Sequence, residues 1–113
     1  MLPTLDSVQA QMRKGILEFC VLAHLRRGPS YGREIAGVLS RDASLLTSEG
    51  TLYPLLARLR KQGWVETSRQ ASEVGPPRRY YTLTADGAAA LEAFTTAWGP
   101  FSRSVTTILE KPR

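Results

Sequence analysis

The sequence predicts a mainly α-helical fold of the α+β class, with one small β-hairpin between the helices. Apolar residues recur at helical spacing in several stretches. Two short segments with strand-like composition flank a loop that contains Gly75, Pro76 and Pro77. The final stretch carries a heptad repeat. We expect an N-terminal arm over 1–9, a folded unit over 10–83 and a long C-terminal helix over 84–113.

Composition and charge narrow the class of protein. Of its 113 residues, 42% are hydrophobic and 22% are charged, which is typical of a soluble globular domain large enough for one modest core. No apolar stretch reaches the ~18 residues that a membrane span needs, and the N-terminus lacks the pattern of a secretion signal. We therefore expect a cytoplasmic protein without a membrane partner.

The chain is basic, with a formal net charge of +5 and a pI of about 9.9. A basic excess on a small protein favours a polyanion as partner. Six of the basic residues lie in the segment that runs from the third predicted helix into the hairpin: Arg58, Arg60, Lys61, Arg69, Arg78 and Arg79.

Enzymatic and metal chemistry have little support in the sequence. One cysteine, Cys20, and one histidine, His24, make neither an internal disulfide nor a metal cluster. Cys20 lies in an apolar run and is read most simply as a small buried hydrophobe. No paired carboxylates, phosphate-binding glycine loop or Cys–His pair is evident. We expect no enzyme, no cofactor and no metal.

The first predicted helix runs from Ala10 to Arg27, where Gly28-Pro29 ends it. The residues before it form a loose arm or a short extra helix. Its apolar surface is too broad for one core contact, so we expect it to be covered on two sides. One stripe comprises Met12, Ile16, Phe19 and Ala23, and a second comprises Leu17, Cys20, Val21 and His24.

Two shorter helices follow. Ser30 is the predicted N-cap of the second helix, whose apolar residues are Tyr31, Ile35, Val38 and Leu39. After a connector, Ser48 is the predicted N-cap of the third helix, which ends at Gly63. Its amphipathic stripe consists of Leu52, Leu55, Leu56 and Leu59. Pro54 within this stretch requires a position near the first turn.

The hairpin and the last helix complete the chain. Strands are predicted over Trp64–Ser68 and Arg79–Leu83, joined by a basic loop that forms a protruding tip. Thr84 caps the last helix, and Gly99-Pro100 should kink it. Its heptad seam is Leu91, Phe94, Trp98, Phe101, Val105 and Ile108. A second copy of the chain is the natural partner of this seam; folding back onto its own core is the alternative.

Helices followed by a two-stranded hairpin describe a winged helix-turn-helix, in which the third helix enters the DNA major groove and the hairpin tip contacts the backbone or the minor groove. The predicted DNA-binding residues are Tyr31, Ser48, Gly50, Thr51, Tyr53, Pro54, Arg58, Lys61, Arg78 and Arg79. A winged-helix module that binds another protein and no DNA is the rival interpretation.

Three stretches resemble the PadR family of transcriptional regulators, in its short form with one C-terminal helix. They are RKGILEFCVLAHLRRGPSYGREIAGVL (13–39), EGTLYPLLARLRKQGWV (49–65) and GPPRRYYTLTADG (75–87). The resemblance covers nearly the whole chain beyond residue 10. It implies a dimer clasped or swapped through the C-terminal helices, palindromic double-stranded operators, and repression that a small molecule relieves.

In short members of the family, the resemblance further implies, the dimer interface holds a flat aromatic, multidrug-type compound. Trp98 stands where a tryptophan stacks on that compound, and helix one of the partner lines the same pore. The implied effector site comprises Met12, Ile16, Phe19, Phe94, Trp98 and Phe101. Two departures are Pro76-Pro77 in the wing and Gly99-Pro100 after Trp98. A purely structural Trp98 is the alternative.

Overall fold

The computed structural model describes residues 2–41, 45 and 49–112. Within them the chain forms five helices and three strands, which confirms the predicted α+β class. In chain order these are α1 (Leu5–Arg13), α2 (Leu17–Leu25), β1 (Ser30–Tyr31), α3 (Gly32–Leu39), α4 (Glu49–Lys61), β2 (Val65–Gln70), β3 (Arg78–Leu83) and α5 (Ala85–Leu109).

The predicted first helix is in fact two helices. α1 begins at a capping box, in which the Thr4 hydroxyl accepts a hydrogen bond from the Ser7 amide and the Ser7 hydroxyl accepts one from the Thr4 amide. Gly15, between α1 and α2, has a φ of +79°, a conformation that glycine adopts without strain. The prediction of one continuous helix from Ala10 was therefore wrong, and its alternative of a short extra helix was right.

The prediction that Ser30 caps the second helix was also wrong, because Ser30 lies in a strand. β1 pairs antiparallel with β3, Ser30 opposite Tyr81 and Tyr31 opposite Tyr80, and the sheet order is β1-β3-β2. The Ser30 side chain is buried and is used for tertiary contacts. Its hydroxyl donates to Glu34 Oε1 at 2.6 Å and lies 3.0 Å from His24 Nε2.

The predicted hairpin is present with shifted ends. β2 and β3 pair in register from Val65 opposite Leu83 to Gln70 opposite Arg78. The intervening loop covers 71–77 and is shorter than predicted, because both strands extend further towards the tip.

Leucines and other aliphatic residues from α2, α3, α4 and β2 form the core. The four leucines of the predicted α4 stripe are all buried in it, as the periodicity indicated. The largest fully buried core side chains are Val21, Leu22, Ile35, Leu52, Leu56, Leu59 and Val65. Pro54 is the sixth residue of α4 and therefore lies beyond the first turn, whereas the sequence analysis had placed it near that turn.

A compact junction fixes the start of α5 against the end of α4. The Thr84 hydroxyl accepts from the Gly87 amide, as predicted for a cap, and donates to the Gly63 carbonyl at 2.6 Å. The Thr84 amide donates to the Trp64 carbonyl at 3.1 Å. A Cβ on Gly87 would lie only 2.0 Å from that carbonyl oxygen, so the close approach requires glycine.

Beyond this junction, α5 leaves the body of the protein. Gly87 and Leu91 are its only buried residues. The helix is assigned without a break through Gly99 and Pro100, and the kink predicted at this pair stays a prediction. The chain consequently measures 59 × 33 × 22 Å with a radius of gyration of 16.3 Å, against about 13 Å for a compact domain of ~100 residues.

None of the described helices combines the length and the apolar character that crossing a membrane would require.

Candidate nucleic-acid interface

The outer face of α4 carries most of the predicted DNA-binding residues. Because the leucine stripe faces the core, the other side of the helix is turned to solvent. Gly50, Thr51, Tyr53, Pro54 and Lys61 are all exposed. Ser48, which was also predicted to contact DNA, lies outside the described residues.

Arg58 makes an ion pair within the protein. Its Nη2 donates to Glu18 Oε1 of α2 at 2.9 Å. Arg58 and Lys61 were both predicted to contact DNA, and Arg58 is already paired with a carboxylate of its own chain. The Arg58 side chain is 58% exposed, whereas the Glu18 side chain is only 19% exposed, so the carboxylate of this pair is largely covered.

A groove of about 500 Å³ lies between α4, the start of α3 and the wing, which is the hairpin of β2 and β3 with its loop 71–77. It brings together four predicted DNA-binding residues from three separate parts of the sequence. Its lining comprises Tyr31, Gly32, Arg33, Tyr53, Val74, Pro76, Pro77, Arg78, Arg79 and Tyr81. Three arginines and the hydroxyls of Tyr31 and Tyr53 suit this groove to a sugar-phosphate backbone.

Six of the ten lining residues were absent from the predicted DNA-binding set, and two of these six shape the site. Arg33 is exposed in the first turn of α3, and its basic side chain was the signal that could have identified it. Gly32 matters because a Cβ there would lie 2.7 Å from Cε1 of Tyr53. The glycine therefore lets the Tyr53 ring lie directly on the start of α3.

A second, apolar groove of about 670 Å³ lies between α5 and the α1–α2 connection. Met12, Ile16, Phe94, Trp98 and Phe101, five of the six residues of the predicted effector site, line it. The resemblance assigned helix one of the partner to this pore. In the structure, Met12 and Ile16 of the same chain already line it.

The aromatic residues of this region form a continuous stack. Phe19, the sixth predicted effector residue, stacks on Phe94 with ring centroids 4.4 Å apart and planes 7° from parallel. Phe94 stacks in turn on Trp98 at 5.6 Å, and Trp98 contacts Phe101 at 6.3 Å. Trp64 lies at the other end of the row, with its ring centroid 5.8 Å from that of Phe19. Phe19 thus buttresses the groove without lining it.

The predicted dimerisation seam divides into a covered and an uncovered part. Leu91 is buried in the core of its own chain, and Phe94 is half-buried against Phe19. The rest of the seam is exposed, with relative exposures of 40% for Trp98, 61% for Phe101, 41% for Val105 and 82% for Ile108.

Burial is the main cause of the pKa shifts of two residues near the core, His24 and Cys20. Desolvation lowers the pKa of His24, with Glu34 opposing the shift and Arg27 and Arg41 adding to it. Burial raises the pKa of the Cys20 thiol, which keeps it protonated and unreactive. In the part of the chain that the structure describes, no three His, Cys, Asp or Glu side chains are grouped to hold a metal ion.

The polar outer face of α4, in the position of a recognition helix, lies beside the basic β2–β3 hairpin, in the position of a wing. This arrangement is that of a winged helix-turn-helix protein of the DNA-binding class. Residues 21–93 match the model of the transcriptional regulator PadR-like family. The chain belongs to this family: it is a DNA-binding transcriptional regulator and not an enzyme.

Solved structures of related proteins agree with this assignment. A PadR-like transcriptional regulator from Bacillus cereus is 38% identical, with a TM-score of 0.78 over 90% of this chain and 99% of that chain. A PadR family transcriptional regulator from Eggerthella lenta is 30% identical, with a TM-score of 0.81 over 96% and 94% of the two chains. An uncharacterized protein from Lysinibacillus sphaericus is 27% identical over 91% of this chain and 96% of its own length.

Proposed function

We propose that this regulator is a cytoplasmic homodimeric repressor of a palindromic operator, and that a planar hydrophobic effector in the apolar groove of α5 relieves the repression. The observation that carries the proposal is the uncovered apolar side of α5. In domain terms, residues 10–83 read DNA, residues 84–113 join the two copies, and residues 1–9 contribute an N-terminal arm that includes the start of α1.

Exposed apolar side chains on a protruding helix favour a second copy as their cover. α5 has 25 residues and is therefore about 37 Å long, yet Leu91 is its last buried residue. Trp98, Phe101, Val105 and Ile108 follow one side of the helix. Burying such a side against its symmetry mate stabilises a dimer by roughly 25 cal/mol for each Å² of apolar surface removed from water.

A symmetric dimer of winged helices predicts a symmetric DNA site. Two copies related by a two-fold axis place two copies of α4 on half-sites that are one helical turn, roughly 34–36 Å, apart. The operator is therefore a palindrome, and binding depends on the angle between the two chains.

The groove on α5 has the properties of a small-molecule site. Its volume of about 670 Å³ falls within the usual range for such sites. The nearly parallel rings of Phe94 and Trp98 offer a stacking surface for a flat compound. Because α5 both lines the groove and joins the dimer, a ligand there shifts the population towards a subunit angle that no longer fits the operator.

Electrophoretic mobility shift at two salt concentrations tests DNA recognition directly. Duplexes selected from a random pool by the protein should bind specifically, and affinity should fall as salt rises. Lys61→Ala and Arg79→Ala should each lower the slope of log affinity against log salt by about one.

Lys111→Ala is the matched control, because Lys111 is exposed beyond the end of α5 and away from α4 and the wing. It should leave the slope unchanged. Absence of binding to any duplex at low salt would refute the proposal and favour the rival protein-binding module.

A further inference from the structure

The geometry points to Tyr31 as a positioning residue of the DNA interface, which acts through Arg78. Its ring holds the guanidinium group of Arg78 at the tip end of the β2–β3 hairpin, where β3 begins, so that this arginine is placed beside α4 before DNA arrives. The inference rests on the DNA interface of the proposed function and is independent of the effector.

The contact between Tyr31 and Arg78 has the geometry of a cation–π interaction. Arg78 Cζ lies 4.4 Å from the centroid of the Tyr31 ring, inside the ~6 Å limit for such contacts. Tyr80 meets the same ring edge-on, with centroids 5.3 Å apart and an interplanar angle of 65°. Tyr31 therefore lies between one ring and one guanidinium group of β3.

The backbone that carries Tyr31 is fixed on both sides. Tyr31 pairs with Tyr80 in the sheet. Ser30, just before it, is buried and hydrogen-bonded to Glu34, with His24 in hydrogen-bond contact. Gly32, just after it, lies against the Tyr53 ring of α4. A ring on so constrained a segment is a rigid support for the arginine.

Arg78 gains from this support because it is otherwise a flexible surface residue. A long side chain loses rotamer entropy when it is ordered on a phosphate, and that loss subtracts from affinity. The stacked guanidinium group is already ordered, and its donors remain available because the ring covers only one of its faces. It lines the groove with Tyr53 of α4, so its position relative to the recognition helix is also set.

Arg79 provides the matched comparison. It is the same residue type on the same strand, it is exposed, and it lines the same groove. Among the described residues no aromatic ring lies under its guanidinium group, and its partner in the sheet is Arg69. Arg79 should therefore contribute to DNA binding independently of Tyr31.

A double-mutant cycle tests the inference, with duplexes selected by the unaltered protein as the probe. Tyr31→Phe keeps the ring and removes only the hydroxyl, so it should weaken binding less than Tyr31→Leu does, and by the same factor in the Arg78→Ala background. Tyr31→Leu should weaken binding by roughly 2-fold to 5-fold. Its effect should largely vanish in the Arg78→Ala background and persist in full in the Arg79→Ala background.

Nitrogen-15 relaxation of the arginine Nε–H groups in the unaltered protein without DNA gives a second measurement that needs no variant to fold. Arg78 should be more ordered than Arg79. Equal order of the two, losses of Tyr31→Leu and Arg78→Ala that add, or a Tyr31→Phe defect as large as that of Tyr31→Leu would each overturn the inference. These outcomes differ from failure of the proposed function, in which the unaltered protein binds no duplex.

Discussion

At the scale of single residues, Ser30 shows how one buried hydroxyl orders its surroundings. It donates to Glu34, so its contact with His24 requires the proton of the imidazole to be on Nε2. The three side chains join α2, β1 and α3 beneath Tyr31 and the DNA-facing groove.

The pKa of His24 predicts how stability depends on pH. Burial lowers this pKa below its ordinary value of 6.5, so the unfolded chain binds the proton more readily than the folded protein. Stability is then complete above about pH 7.5 and is lost as the pH falls through 6.5 towards the folded pKa. Urea unfolding at about pH 7.5 and pH 5.5 should show this loss, and His24→Gln should reduce it. An equal loss in both proteins would assign it to other groups.

Trp98 gives the residue-scale prediction for the effector groove. Planar compounds should quench its fluorescence and weaken operator binding, and Trp98→Ala should abolish both responses while the protein remains a dimer. Trp64→Phe is the control, because it removes the other tryptophan and should leave the quenching intact. If neither signal responds to any compound in a panel of neutral, cationic and anionic planar molecules, Trp98 is structural.

At the scale of elements, the junction of α4 with α5 explains why the last helix begins where it does. Thr84 and Gly87 tie its first turn to the carbonyls of Gly63 and Trp64. The direction in which α5 leaves the core, and hence the position of the predicted dimerisation seam, depends on this close approach.

Gly87→Ala tests the junction, because the added Cβ would meet the Trp64 carbonyl oxygen at 2.0 Å. It should destabilise the fold by about 2 kcal/mol or more in chemical denaturation. Gly37→Ala is the matched control: nothing lies within 4 Å of its Cβ position, and alanine should stabilise the helix by roughly 0.4–1 kcal/mol. Equal effects of the two substitutions would contradict the tight junction.

The elements also show which features were predictable. The α4 stripe, the hairpin and the Thr84 cap follow from local spacing and residue type, and all three are present. β1 was missed because two residues become a strand only by pairing with Tyr80 and Tyr81, far along the chain. The break at Gly15 was missed because the apolar spacing continues across it.

In the candidate site, too, features set by local spacing were predictable and features set by tertiary contacts were not. The exposed face of α4 was predictable, since it is the complement of the leucine stripe. The pairing of Arg58 with Glu18 and of Arg78 with Tyr31 was not, because each joins residues that only the tertiary fold brings together. Sequence periodicity therefore identified the surface, and the structure identified which of its cations are already held.

At the scale of the whole molecule, the chain has two parts: a compact body that carries the candidate DNA interface, and a long helix, α5, that projects from it. Its two grooves lie on different elements, one beside the wing and one on α5. The proposed dimer through α5 would cover that helix and would connect the apolar groove of α5 to the spacing of the two copies of α4.

Sedimentation velocity, with and without a selected duplex, measures this central claim. The unaltered protein should be a dimer and should bind as two chains per duplex. Val105→Glu should give monomers and lose specific binding, because a charge buried in the seam without a partner costs several kcal/mol. Thr96→Glu, which lies two and a half turns away on the opposite, exposed side of α5, should remain a dimer that binds DNA. A monomeric unaltered protein, or a Val105→Glu variant that remains dimeric, would contradict the account.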